Sequence, residues 1–475
     1  MVAKSRGARQ DVALTSSESE RAASAGGWAG VVARVRHWLS DASHSSLAQR
    51  MAGAAFLIRV ASAGILYLSQ VVLARWMGSY EFGVYIYVWT WVLLIGGLFD
   101  LGLAQSAQRF IPEYLQLGRL DLLRGFLAGS RWIAAGASTL AAALAALAVL
   151  LLRGWMDSVL VLPLFLACLC LPFYAVSGVQ DGIARSYNWL HIGLTPPYIL
   201  RPVLLIVFMG AAFFAGLPVD ATSAMLAAVG STWVTALLQL VMLNRRLGRE
   251  VERGPKLHQP KIWLATSLPI FLVESFYLLL TYTDLLMLKH FRSPEDIAIY
   301  YAAAKTLALV AFVNFSVSAA VAHRFTEYHV SGDRERLSAF LAESIRWTFW
   351  PSLVAMAIIL AVGRPFLWLF GKGFVDGYPI MFVLAIGLLA RAAVGPVERL
   401  LNMLGQQNIC ALVYALSFAI NIIGCAILIP LIGTIGAAAA TSLALVVESI
   451  LLFVVTKRRL GLHVFIWSRA RGAAQ

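Results

Sequence analysis

The chain has 475 residues; 60% are hydrophobic, only 13% are charged, and the formal net charge is +14. A water-soluble domain carries about a quarter charged residues, so a mean hydropathy of +0.78 excludes an ordinary soluble protein. Apolar blocks of roughly 20 residues suit helices that cross a bilayer. Lipid cannot satisfy an open backbone, and the fold class expected is an all-α polytopic membrane protein.

Residues 1–50 differ in kind from the rest. The first 26 are rich in Ser, Ala, Arg and Glu and read as disordered. The stretch GWAGVVARVRHWLSD sets Trp28, Val31, Val35 and Trp38 against Arg34, Arg36 and His37, which fits either an interfacial amphipathic helix or a polar lead-in. No apolar stretch precedes residue 51, so no cleavable signal peptide is expected and the first span serves as the insertion signal.

Twelve spans follow. The first six are predicted near 53–76, 82–104, 126–152, 158–177, 195–216 and 221–243. The second six lie near 264–288, 297–322, 346–369, 377–401, 408–430 and 433–456. The chain thus divides into a cytoplasmic tail (1–50), a six-helix bundle (51–243), a cytoplasmic linker (244–263), a second bundle (264–456) and a basic cytoplasmic tail (457–475). One set of loops collects the basic residues, among them Arg109, Arg119, Arg124, Arg245, Arg246, Arg249, Lys457, Arg458 and Arg459, while the opposite loops hold little beyond Arg153, Lys289, Arg292 and Lys372. That bias places both termini in the cytoplasm, and it accounts for the net charge without nucleic acid.

The two bundles echo each other. RFIPEYLQLGRLDLLRGFL (109–127) returns as RFTEYHVSGDRERLSAFL (324–341), with Glu113 and Glu327, Tyr114 and Tyr328, Gly118 and Gly332, and Phe126 and Phe340 each 214 residues apart. Upstream, SYEFGVY (79–85) matches SPEDIAIY (293–300). Six is even, so both units insert the same way round, as two parallel repeats about an axis along the membrane normal with a central cavity between them.

Ionisable groups inside spans are costly and usually face a cavity. Arg59 in the first span and Lys305 in the eighth are cations with no obvious partner on their own helix, and they suit an anionic substrate group. In the seventh span Glu274, Tyr277, Thr281 and Asp284 fall on one stripe about 80° wide; either acid is a candidate for a coupling proton or sodium ion, or for neutralising Arg59 or Lys305. Arg391 and Glu398, seven apart in the tenth span, read as a structural ion pair. Asp100 and Arg201 stand near predicted helix ends and read as groups that snorkel to the interface, and Glu448 calls for a basic neighbour that spacing does not identify. Cys168, Cys170, Cys410 and Cys425 lie in apolar runs without metal-site spacing and read as packing. No nucleophile–base set, phosphate loop or metal cluster is present in the pattern, so neither catalysis nor a cofactor is expected.

LARWMGSYEFGVY (73–85), LFDLGLAQSAQRFIPEY (98–114) and TDLLMLKHFRSPEDIAIYYAAAKTLALV (283–310) resemble the bacterial polysaccharide transporters of the multidrug/oligosaccharidyl-lipid/polysaccharide exporter superfamily, a likeness that runs over residues 50–460. The resemblance implies a V-shaped pair of six-helix bundles that works by alternating access. It implies movement of an undecaprenyl-pyrophosphate-linked oligosaccharide across the inner membrane for O-antigen, capsule or exopolysaccharide assembly, with a polysaccharide polymerase as a partner. Related lipid flippases use arginines of helices 1, 2 and 8 for the pyrophosphate; here Arg59 and Lys305 stand in helices 1 and 8, and helix 2 has no arginine within its span. The chain also lacks the two extra C-terminal helices of the lipid II flippases. The alternatives are a cation-coupled drug antiporter of the same superfamily, which favours an acidic cavity, and a membrane enzyme of polysaccharide assembly, which the short outer loops disfavour.

Overall fold

The computed structural model describes residues 44–311, 313, 314, 317, 321, 325, 328 and 333–467, with side chains from residue 60 onward. The chain up to Arg59 is a unit of its own, and Val60 begins the main body. Arg59 and residues 27–39 therefore fall outside the described side chains.

In chain order the helices are α1 (His44–Leu98), α2 (Leu103–Gln116), α3 (Leu120–Leu152), α4 (Ser158–Ser186) and α5 (Leu190–Thr195); a π-helical turn (Pro196–Leu200) leads into α6 (Arg201–Phe214), followed by α7 (Ala221–Glu250). The second half holds α8 (Pro260–Phe291), α9 (Pro294–Leu307), α10 (Arg334–Ala361), α11 (Gly363–Phe370), α12 (Tyr378–Val394), α13 (Val397–Met403), α14 (Gln407–Ile432) and α15 (Thr434–Leu460).

Ten of the described segments are long and apolar enough to cross a membrane. The first of them, Val60–Gln116, has 57 residues and would be about 86 Å long as one helix, nearly three times the ~30 Å hydrocarbon core. It breaks at Gly78, whose φ of 77° is left-handed, so it supplies the first two predicted spans. The eighth predicted span continues past α9, where the described residues between 311 and 328 are helical. The twelve-span, two-repeat architecture is accounted for in this way.

The helices overrun the apolar blocks at one end of the molecule. Between α7 and α8 only residues 251–259 are left as linker, against the expected 244–263. These nine residues lie across α3 as a strap: Arg124 donates from Nε to the Pro255 carbonyl (3.0 Å) and from Nη1 to that of Glu252 (2.8 Å), and the Leu257 amide donates to Asp121 O (3.0 Å). The basic tail behaves alike. Arg334 donates to the Leu460 carbonyl, after which Leu462, Val464 and Ile466 are buried while the residues between them are exposed. That alternation of two is an extended segment laid on a surface, not a free tail from 457.

In the described residues each copy of the repeated motif gathers its two Phe and one Tyr into an aromatic cluster. Phe110 packs on Tyr114 (5.6 Å between centroids) and on Phe126 (5.3 Å); Phe340 packs on Phe325 (5.7 Å) and Tyr328 (5.6 Å). Glu327 and Gly332 lie outside the described residues.

The halves close on each other at the end opposite the straps. Tyr67 Oη and Thr306 Oγ1 are 3.0 Å apart. Arg75 donates to the carbonyls of Leu369 (2.6 Å) and Trp368 (2.5 Å) and lies 4.8 Å over the Trp368 ring. Phe82 packs against Tyr301, Phe370 and Phe374. Gly83 meets the Pro294 carbonyl so closely that no Cβ fits there. At the strap end the described contact between halves runs through the start of α8: Ser267 Oγ is 2.7 Å from Ser106 Oγ, and Trp263 donates to Tyr114 Oη (3.1 Å) and stands edge-on to Phe126.

Candidate functional site

A cavity of about 260 Å³ opens between the halves, below the seal. Trp89 and Thr90 of α1 form one wall. Tyr277, Thr281, Tyr282 and Asp284 of α8, Tyr300, Tyr301 and Lys305 of α9, Arg391 of α12 and Thr441 of α15 supply its other polar and aromatic groups, and leucines such as Leu280, Leu384, Leu388 and Leu445 fill the space between them. Much of the lining is aliphatic, and what sets it apart from a lipid-facing surface is its three charged groups, Asp284, Lys305 and Arg391.

Lys305 is half-buried, makes no hydrogen bond or ion pair with a described residue, and holds its ammonium 5.3 Å from the Tyr301 ring. Asp284 lies within electrostatic range of it. Asp284 is 7% exposed and is saturated by donors: Tyr300 Oη to Oδ2 at 2.5 Å, Thr441 Oγ1 to Oδ2 at 3.0 Å and its neighbour's amide, Leu285 N, to Oδ1 at 2.7 Å. Asn421 donates to Thr441 Oγ1 at 3.2 Å, which extends the chain of polar groups through α14.

Of the predicted stripe, Tyr277, Thr281 and Asp284 line the cavity. Glu274 does not; it lies toward the strap end, within electrostatic range of Glu398, Arg399 and Arg185. Arg391 Nη2 is 3.7 Å from Glu398 Oε2, and its Nε is 3.4 Å from Oε1 of Glu448, which is fully buried. Arg391 is thus the basic neighbour that Glu448 needed. It does not share a continuous helix face with Glu398, as the spacing implied, because the backbone turns at Gly395 (φ 65°) and Pro396 between α12 and α13. Asp100 is at a break between α1 and α2, where Oδ1 accepts from the Gly102 amide at 2.8 Å.

Arg201 opens α6 but is not at the end of a membrane segment. The fifth membrane segment runs Leu190–Phe214, which puts Arg201 at its middle, with its guanidinium 5.6 Å from the Trp89 ring and 5.1 Å from that of Tyr174. Tyr300 and Thr441 also escaped the sequence reading, since a hydroxyl in an apolar run has no charge to betray it; Tyr300 at least stands in the quoted YYAAAK motif. The four cysteines are buried free thiols.

The sequence pattern of the family described as polysaccharide biosynthesis protein matches residues 50–329, and that described as MatE matches 269–427. No curated protein matches the chain in sequence. Among solved structures, an inward-facing multidrug resistance MATE transporter superposes with a TM-score of 0.68 at 14% identity, over 86% of this chain and 98% of that one. The lipid II flippase MurJ in an inward closed conformation gives 0.65 at 17%, over 84% and 87%. A transporter from Pyrococcus furiosus gives 0.64 at 13%, over 86% and 95%. These likenesses carry the fold, and the match over residues 50–329 carries the family: the chain belongs to the family described as polysaccharide biosynthesis protein.

Proposed function

We propose that the protein flips an undecaprenyl-pyrophosphate-linked oligosaccharide across the bacterial inner membrane by alternating access, for surface polysaccharide assembly. The observation that carries this reading is Lys305: a cation without an ion pair among the described residues, half-buried in a cavity with tyrosines and threonines in its wall at the junction of two repeats. A lysine offers a point charge that suits a phosphate, and the tyrosine and threonine hydroxyls beside it suit a glycan. The prenyl chain stays in lipid between the halves, so only the head group needs the polar path. The asymmetry of basic loops supports a cytoplasmic strap end, with the sealed end toward the periplasm. Arg59 is the second proposed phosphate ligand, Asp284 the group that exchanges a coupling proton or sodium ion, and a polysaccharide polymerase the consumer of the flipped product.

The test is a deletion strain without a second flippase, analysed for surface glycan and for lipid-linked precursor. Loss of the glycan with precursor retained inside is expected, and Lys305→Ala at normal protein level should not restore it. Full glycan display in the deletion strain would overturn the reading.

A second reading, a cation-coupled drug antiporter, is favoured by the match to the MatE pattern over 269–427 and by the buried Asp284. Overexpression that raises resistance to cationic drugs, and loses that effect in Asp284→Asn, would establish it instead.

A further inference from the structure

The two repeats part company where their third spans begin. α3 starts at Leu120 and α10 at Arg334, 214 residues apart, and Tyr114 and Leu123 stand in the same register to Tyr328 and Leu337. In the first half the space beside Tyr114 is filled, because Trp263 of α8 donates to its hydroxyl at 3.1 Å and is wholly buried. In the second half a pocket of about 330 Å³ opens beside Tyr328 instead. Leu337, Leu404 and Leu462 give it an apolar wall. The leucine of the first repeat has become a cation, Arg334, which lines the pocket together with Arg459 of α15.

Both arginines have donors to offer. Among the described residues no carboxylate lines the pocket. Asp333, next to Arg334 in sequence, is engaged by Arg336: its Oδ2 lies 3.1 Å from Nε, and its Oδ1 accepts from the Arg336 amide at 3.0 Å. Arg334 gives one N–H to the Leu460 carbonyl, which fixes the guanidinium over the end of α15 and leaves the rest of its five donors for another acceptor. Gly461 makes that placement possible. Its φ of 65° turns the chain out of α15, and a Cβ there would collide with Arg334 Nη2. Arg459 is exposed and makes no hydrogen bond or ion pair with a described residue. Two guanidiniums on one small pocket repel each other, and an anion between them replaces that repulsion with two charge-assisted contacts.

We infer that this pocket binds a phosphate group, held by Arg334 and Arg459, with the leucines against the apolar part of the molecule that carries it. The guanidinium fork matches phosphate oxygens bidentately. At a membrane surface this chemistry has two sources, the head group of an anionic phospholipid and a soluble phosphate. None of the residues that line the pocket lines the cavity between the halves. It is a second site, and it stands whatever the transported molecule is.

The experiment is calorimetry on the purified full-length protein in a neutral detergent. The probes are inorganic phosphate, short-chain phosphatidylglycerol and zwitterionic phosphatidylcholine of the same chain length. Wild type should bind phosphatidylglycerol about 10-fold more tightly than phosphatidylcholine, the effect of one charge-assisted contact. Arg459→Gln should remove that preference while leaving the Arg334 bond to Leu460 in place. Arg334→Gln should remove it too, and Arg334→Lys should restore part of it. Leu404→Trp, which fills the pocket as Trp263 fills the matching space of the first half, should abolish binding with both arginines present. Arg458→Gln, one residue away and outside the pocket, should change nothing. Binding of phosphatidylglycerol alone assigns the site to a lipid head group. Binding of inorganic phosphate, lost in the same variants, assigns it to a soluble anion; either result upholds the pocket. Failure of wild type to bind either anion, an Arg459→Gln protein that binds as wild type does, or an equal loss in Arg458→Gln overturns the inference.

Discussion

Arg391 holds two carboxylates from two different elements, Glu448 at 3.4 Å and Glu398 at 3.7 Å, and only Glu448 is wholly out of solvent. The two pairs therefore differ in consequence. Removal of one member of a buried pair leaves an uncompensated charge, at a cost of about 3–5 kcal/mol. Arg391→Met should lower thermal stability in detergent sharply, Glu398→Gln should lower it little, and the double change Arg391→Met with Glu448→Leu should recover most of the loss. A double mutant no more stable than Arg391→Met would show that the arginine matters for another reason.

Asp284 is held by the hydroxyls of Tyr300 and Thr441 and by a backbone amide. If the carboxylate is ionised when the substrate site is empty, Tyr300→Phe removes a charge-assisted bond and costs about 1.5–3 kcal/mol. The same change in an Asp284→Asn background should cost clearly less, and the difference in a double-mutant cycle reads the coupling directly. Additive effects would mean that the acid is neutral in this state.

The contact of Gly83 with the Pro294 carbonyl belongs to the closed end. Gly83→Val forces a side chain into a space that has none, an overpacking of about 1–3 kcal/mol, and it does so only while the halves are sealed. Under the proposed function transport should be lost, and a cysteine placed at Tyr282 should become reactive to an impermeant thiol reagent added on the side of the sealed end. Loss of stability without a change in that reactivity would assign the glycine to packing alone.

Trp263 is fully buried, bonded to Tyr114 and edge-on to Phe126, so α8 begins against the first half although most of its length packs in the second. Trp263→Ala should destabilise by about 3–5 kcal/mol, while Trp263→Phe should retain most of the packing and lose the hydrogen bond. Thermal melts of the two variants separate these contributions.

The membrane architecture was legible because hydropathy is summed over some 20 residues and tolerates local errors. Helix ends were not. α7 runs to Glu250 and α10 starts at Arg334 because Arg, Glu and Leu are good helix formers with no need of lipid. The prolines at 196 and 197 looked like a boundary and misplaced Arg201 toward an interface, since a π turn that absorbs two prolines leaves no trace in hydropathy. The stripe on α8 was readable down to Tyr277, Thr281 and Asp284 because helical periodicity survives. The partners of Asp284 and Glu448 come from distant elements, α9, α12 and α15, and pairings of that kind require the fold itself.

The last described residues have a practical corollary. Leu462, Val464 and Ile466 are stitched into the second half, and each such side chain contributes about 1.5–3 kcal/mol when buried. A truncation after Leu460 is therefore not the trimming of an appendage but the removal of a seam. Reporter fusions and affinity tags belong beyond Trp467; a junction placed at the end of the last hydrophobic block, where a hydropathy plot invites it, would unpick one half while leaving every membrane segment intact.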